Sequence, residues 1–232
     1  MKRLMRSVIG GILGILVLLV SSCGIGSINN ITPTESATPL LTRIACVGDS
    51  ITFGLGVPIT ENYPAQLQQK LGDKYTVLNF GASGATVNSG GDLPYVAQPV
   101  YQEAVDSAPT IVLIMLGTND AKSPNNSPEL EATFESDYRN LVQTFVKLPS
   151  HPKVYVLTPI GAILGDESLE ATLATTLRPQ IRQVGTELGL TVIDLESVLN
   201  GDPADYQDDG IHPTVAGYNL ISTAVYNALE KE

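Results

Sequence analysis

Five short apolar runs, each closed by small or polar residues, constrain this 232-residue chain more than any other feature. They occupy residues 41–48 (LTRIACVG), 74–80 (KYTVLNF), 110–116 (TIVLIML), 153–159 (KVYVLTP) and 190–195 (LTVIDL). β-Branched and other apolar residues fill them almost without alternation, the pattern of strands buried on both faces. Helical stretches lie between them near 63–71, 95–107, 129–147 and 168–188, and a last one follows at about 214–229. This repetition predicts an α/β fold with a five-stranded parallel sheet covered by helices on both faces. In such sheets ligands bind beyond the carboxyl ends of the strands, so the residues that follow each run are the ones to inspect.

The first forty residues follow a different pattern. Lys2, Arg3 and Arg6 precede a thirteen-residue apolar stretch at 8–20, short of the roughly 17–25 residues that a membrane-spanning helix needs. Basic start, short apolar core and small residues predict a secretory signal peptide. The VSSC that follows, with Cys23 last, resembles a bacterial lipobox, which implies that residues 1–22 are a lipoprotein signal peptide and that Cys23 is lipidated. Residues 24–40 are rich in Ser, Thr, Asn and Pro without periodicity, so 23–40 reads as a lipidated cysteine and flexible tether. The globular domain is expected over 41–232, extracytoplasmic and held to a bacterial membrane through this lipid anchor alone. With Cys23 lipidated, Cys46 is expected to be a small buried hydrophobe outside any disulfide. A formal net charge of −11 repels phosphate backbones and argues against a nucleic-acid partner.

Polar residues do follow the runs. The first ends in Gly48-Asp49-Ser50, the second in Asn79-Phe80-Gly81, the third in Gly117-Thr118-Asn119-Asp120, and DGIHP stands after the last at 209–213. A serine hydroxyl acting as nucleophile needs a base, and imidazole suits neutral pH. Of the two histidines, His151 lies in a loop before the fourth run, at the opposite edge of the expected sheet. His212 is therefore the candidate base, and Asp209, three residues earlier, can turn back to orient it. A developing oxyanion needs donors; the candidates are the Ser50 N–H, the Gly81 N–H and the Asn119 side-chain amide. Asp49 is left without a role. The stretch GLGVPI lacks a dinucleotide fingerprint, and DPADYQDD at 202–209 lacks EF-hand spacing.

GDSIT, the glycine of NFGASG, GTND and DGIHP resemble the four blocks of the SGNH hydrolases, the GDSL-type esterases. The resemblance implies that Ser50, Gly81, Asn119 and His212 are the four residues of that pattern and Asp209 the triad acid. It further implies a flavodoxin-like three-layer α/β/α sandwich and ester hydrolysis through an acyl-serine, with no metal and no cofactor. YPAQLQQKLGDKYTVLNFGASGAT, IMLGTNDAKSPN and DGIHPTVAGY look closer to the bacterial acetylxylan-esterase-like and sialate-O-acetylesterase-like subgroup. The expected substrate is then an acetylated carbohydrate or another small-molecule or glycan ester. Two alternatives stand beside it: a lysophospholipase or thioesterase acting on acyl chains at the membrane, and a catalytically silent solute-binding lipoprotein. The pocket walls are expected from loops around 90–100 and 160–169.

Overall fold

A computed structural model describes residues 41–163 and 167–231. The expected signal peptide, Cys23 and the expected tether lie outside the described residues. Five strands form one parallel sheet: β1 (Thr42–Gly48), β2 (Tyr75–Gly81), β3 (Ile111–Met115), β4 (Lys153–Leu157) and β5 (Thr191–Ile193), in the order β2-β1-β3-β4-β5. At the carboxyl end Gly48 of β1 pairs with Gly81 of β2 on one side and with Met115 of β3 on the other.

Both faces of each central strand are apolar, and the two sets of side chains feed two cores. Ala45, Val47, Val112, Ile114, Val154 and Val156 point one way, and Ile44, Cys46, Leu113, Met115, Tyr155 and Leu157 the other. The first set is covered by α3 (Pro99–Asp106), α4 (Pro128–Val146) and α6 (Arg178–Glu187), the second by α2 (Tyr63–Leu71) and α7 (Val215–Leu229). Three layers, α/β/α, result. Residue spacing explains the helices. In α4, Phe134, Tyr138, Leu141, Val142 and Phe145 recur at intervals of three and four and are all buried. Its start is set by Ser127, whose hydroxyl accepts the Leu130 N–H, by Pro128 in the first turn, and by Glu129 and Glu131 beside the exposed amide ends. Asn62 and Thr214 cap α2 and α7 in the same way.

Two expected helices are interrupted, both at prolines. The stretch 95–107 is a 3₁₀ turn at Tyr95–Ala97 followed by α3, because Gln98 before Pro99 is pushed to extended geometry (φ −83°, ψ 144°). The stretch 168–188 begins as α5 (Glu167–Thr172) and widens into a π turn at Leu173–Leu177 before continuing as α6. Pro179 at the start of α6 has no N–H to give to the carbonyl four residues back, which favours a break in the regular ladder at this place. The π turn carries Arg178 into the interior. Its guanidinium is fully buried and donates to the Pro159 and Ile160 carbonyls and to Glu170, with Glu196 at 3.3 Å. The loop after β4 is thereby clamped, and Glu170 also accepts the Ala162 N–H at 2.8 Å.

Strand order places the crevice. The chain leaves β1 toward one face and β2 toward the other, so the carboxyl ends of β1 and β3 flank an opening between layers.

Candidate active site

Ser50 sits two residues past β1, in the first turn of the four-residue helix α1 (Ser50–Phe53). The turn is made by Asp49, whose side chain caps it by accepting the Ile51 N–H at 2.9 Å. Gly54 ends it in the left-handed region (φ 94°), returning its N–H to the Ser50 carbonyl. The Ser50 N–H itself has no hydrogen-bond partner among the described residues.

His212 and Asp209 arrive from the segment between β5 and α7. Asp209 and Gly210 (φ 66°) form a tight turn, and Asp209 Oδ1 accepts the backbone N–H groups of Ile211 and His212, both at 2.9 Å. The His212 carbonyl takes the Gln207 N–H at 2.8 Å, and the Gly210 carbonyl takes the Ile163 N–H at 2.9 Å. This backbone frame sets the ring. His212 Nδ1 lies 2.6 Å from Asp209 Oδ2, and its Nε2 lies 2.8 Å from Ser50 Oγ. Ser50, His212 and Asp209, 162 residues apart in sequence at the extremes of the serine–histidine contact, thus form one hydrogen-bonded chain. Ser50 and His212 are buried, while the Asp209 side chain keeps 46% exposure. Partial burial works against ionisation of Asp209, but the His212 ring and the two backbone N–H groups outweigh it and hold the carboxyl below the usual range.

Asn119 lies past β3 and is buried. One hydrogen of its Nδ2 goes to the Ala85 carbonyl at 3.0 Å, and Oδ1 accepts from Lys122 Nζ at 3.2 Å, which fixes the amide orientation and leaves the second hydrogen unused. Gly81 is placed differently from expectation. It is the last residue of β2, and its N–H is spent on Asn79 Oδ1 at 2.9 Å. Its lack of a side chain serves packing: a Cβ there would lie 2.1 Å from the Phe53 nitrogen of α1. Asn79, whose Nδ2 donates to the Thr52 carbonyl at 2.8 Å, ties β2 to α1 across the same contact. The Gly84 N–H, in the turn beyond the strand (φ 82°), has no hydrogen-bond partner among the described residues and lies next to the Ala85 carbonyl that holds Asn119. Position relative to the strand end was the available clue, since a ladder residue has little hydrogen-bonding capacity to spare.

Two buried carboxyls surround this centre. Asp49 Oδ2 has no partner among the described residues, and burial raises its pKa, partly offset by the Ile51 N–H and by the charges of Lys122 and His212. Asp120 is pushed up to about 6 by burial, against the Asn88 and Val87 N–H groups that it accepts at 2.9 Å each. His151 is exposed in the turn before β4, at the amino end of the sheet and away from Ser50. Cys46 is fully buried in β1, and burial pushes its thiol up to about 12. Among the described residues no group of three His, Cys, Asp or Glu side chains could hold a metal ion, and no helix is long and apolar enough to cross a membrane.

A parallel α/β/α sandwich with a Ser–His–Asp chain beyond its strand ends defines a serine hydrolase. More narrowly, the chain belongs to the GDSL-like lipase/acylhydrolase family, whose sequence profile matches residues 46–220. It is 34% identical over 206 residues to an acetylxylan esterase of Xylanibacter ruminicola, a match covering 81% of this chain and 43% of that protein. It is 26% identical over 194 residues to the esterase TesA of Pseudomonas aeruginosa, covering 79% of this chain and 86% of that one. This chain therefore spans less than half the length of the Xylanibacter relative. Among solved structures, Est24, a carbohydrate acetylesterase from Sinorhizobium meliloti, superposes with a TM-score of 0.67 at 20% identity, over 82% of this chain and 99% of that one. The aryl esterase of M. smegmatis superposes with a TM-score of 0.65 at 22% identity, over 82% and 99%. At these identities the likeness is one of fold.

Proposed function

We propose that this chain is a serine esterase that removes acetyl groups from carbohydrate. The observation that carries the reading is the Ser50–His212–Asp209 chain, with spacings of 2.8 and 2.6 Å, beyond the carboxyl end of β1. Ser50 Oγ attacks the ester carbonyl carbon as its proton passes to His212 Nε2. Asp209 holds the ring by Nδ1 and stabilises the imidazolium while remaining ionised itself. The negative oxygen of the tetrahedral intermediate accepts from the Ser50 N–H, the Gly84 N–H and the unused hydrogen of Asn119 Nδ2. Gly84 thus takes the place expected of Gly81. His212 then protonates the departing sugar hydroxyl, and the C–O bond to the sugar breaks. Water, deprotonated by His212, attacks the acetyl-serine, and collapse returns Ser50 and releases acetate. The chemistry needs no cofactor.

The 34% identity to an acetylxylan esterase supports acetylated carbohydrate as substrate. Acetate release from acetylated xylan, measured with the wild type and with Ser50→Ala, tests it. Ester hydrolysis that persists in Ser50→Ala refutes the mechanism, and sugar binding without any Ser50-dependent turnover converts the reading to a solute-binding protein. A second reading, hydrolysis of longer acyl chains, is favoured by an apolar cavity of about 340 Å³ lined by Phe53, Val57, Ile59 and Val100 together with Gly81. A chain-length series of p-nitrophenyl esters separates the two: acetate preferred supports deacetylation, C8 and longer the alternative. We also propose that Cys23 is lipidated and holds the enzyme outside the cytoplasm; Cys23→Ala should release it from the membrane fraction.

A further inference from the structure

We propose that the cleft between α3 and α4 is a saccharide subsite, which seats one neutral sugar ring of the glycan while the ester is cleaved at Ser50. The proposal rests on the carbohydrate reading above and adds a binding site to it. The cleft has a volume of about 280 Å³, near the lower end of small-molecule pockets and suited to one ring rather than a long segment. Its lining joins apolar surface, from Val87 and Leu141, to the polar groups of Ser89, Tyr101, Asp137 and Asn140.

The polar groups are positioned and unspent. The Ser89 N–H donates to Asp137 Oδ2 at 2.8 Å, which orients the carboxylate and leaves Oδ1 without a protein partner among the described residues. The hydroxyls of Tyr101 and Ser89 and the side-chain amide of Asn140 also have none. The Tyr101 ring is fixed by edge contacts with Tyr95 and Phe145, at centroid distances of 6.1 and 6.2 Å. A pyranose matches this mixture: its C–H faces need apolar or aromatic surface, and each hydroxyl both donates and accepts. The charge of the lining selects further. One carboxylate and no cationic side chain disfavour phosphorylated or uronic sugars, and one carboxylate is too few for a bound cation.

The cleft is mechanically joined to the reaction centre. The N–H groups of Val87 and Asn88, at its rim, are held by the Asp120 carboxyl, and Asp120 follows Asn119 directly in the chain. The loop that forms this rim also begins at the Gly84 turn. A glycan lying along the loop would meet the oxyanion donors and the cleft in sequence.

The test uses Asn140→Ala, an exposed side chain with no protein partner, and Asp137→Asn, which keeps an oxygen for the Ser89 N–H. With acetylated xylan, each variant should raise KM about fivefold at nearly unchanged kcat, the loss of roughly one hydrogen bond. With p-nitrophenyl acetate, too small to reach the cleft, kcat/KM should stay within about twofold. Titration of Ser50→Ala protein with unacetylated xylohexaose should show binding that Asn140→Ala weakens by a similar factor. Unchanged KM in both variants, with xylan deacetylated normally by the wild type, overturns the subsite alone. Hydrolysis of p-nitrophenyl acetate without acetate release from acetylated xylan overturns the carbohydrate reading and the subsite with it.

Discussion

Asp209→Asn is the substitution on which the proposed chemistry is most exposed. The carboxylate uses both oxygens: Oδ1 accepts two backbone N–H groups at 2.9 Å, and Oδ2 faces His212 Nδ1 at 2.6 Å. An amide has one acceptor oxygen. Kept on the two backbone donors, it turns its NH₂ toward Nδ1, which must then accept. The ring proton moves to Nε2 and points at Ser50 Oγ, 2.8 Å away, so the imidazole can no longer take the serine proton. Loss of the correct tautomer is worth about 10⁴ in kcat, or about 5.4 kcal/mol. The fold should survive, since the side chain is nearly half exposed and such a pair contributes about 1 kcal/mol or less. Asp209 is held below the ordinary carboxylate range, so its stabilisation is complete above the unfolded value of about 3.9 and is lost as pH falls through the folded one. A comparison at pH 7 is therefore free of that titration. Turnover of p-nitrophenyl acetate, with circular dichroism as the control for folding, measures the effect. Asp49→Asn is the companion, because asparagine caps a helix as well as aspartate does, and it should keep kcat within about tenfold. A folded Asp209→Asn enzyme retaining a tenth of wild-type kcat, or a larger loss in Asp49→Asn, would refute the assignment of Asp209.

Other substitutions read other parts of the design. Asn119→Ala should lower kcat about 10²–10³-fold with little change in KM, because the amide acts on the oxyanion that forms only during reaction; a KM effect alone would move Asn119 out of the oxyanion site. Asp120 has its pKa raised to about 6, so the unfolded chain releases this proton first and wild-type stability falls from about pH 4 to pH 6, by on the order of 3 kcal/mol. Asp120→Asn removes that slope, and urea melts should show its stability relative to wild type improving across this window; a constant difference would contradict the buried carboxyl. Arg178→Met leaves the Pro159 and Ile160 carbonyls without their donor and should cost about 3–5 kcal/mol in denaturant unfolding. A change under about 1 kcal/mol would mean the clamp contributes little.

How much of this could be read from sequence depends on how far each feature reaches along the chain. The five strands and three layers were legible because side chains on both faces of a buried strand must be apolar, and each strand carries that requirement locally. Ser50 and His212 were legible by elimination, since His151 precedes β4 and parallel topology puts that end far from the carboxyl edge. The break at Gln98 was also available locally, from the proline that follows it. Gly81 and Gly84 show where this stops. Both glycines lie within NFGASG, and choosing between them turns on where β2 ends: within the strand the Asn79 side chain takes the Gly81 N–H, and α1 packs against its missing side chain. The Arg178 cluster was beyond reach for a related reason. Its partners lie 8 and 18 residues away and are half exposed, so in sequence they look like ordinary surface charge. Asp49 joins the two cases. The pair Asp49-Ser50 looks like a cap beside a nucleophile, and the structure makes these one device: the Asp49 side chain closes the turn that lifts Ser50 off the strand end, so a capping oxygen is needed there whichever carboxylate orients the histidine.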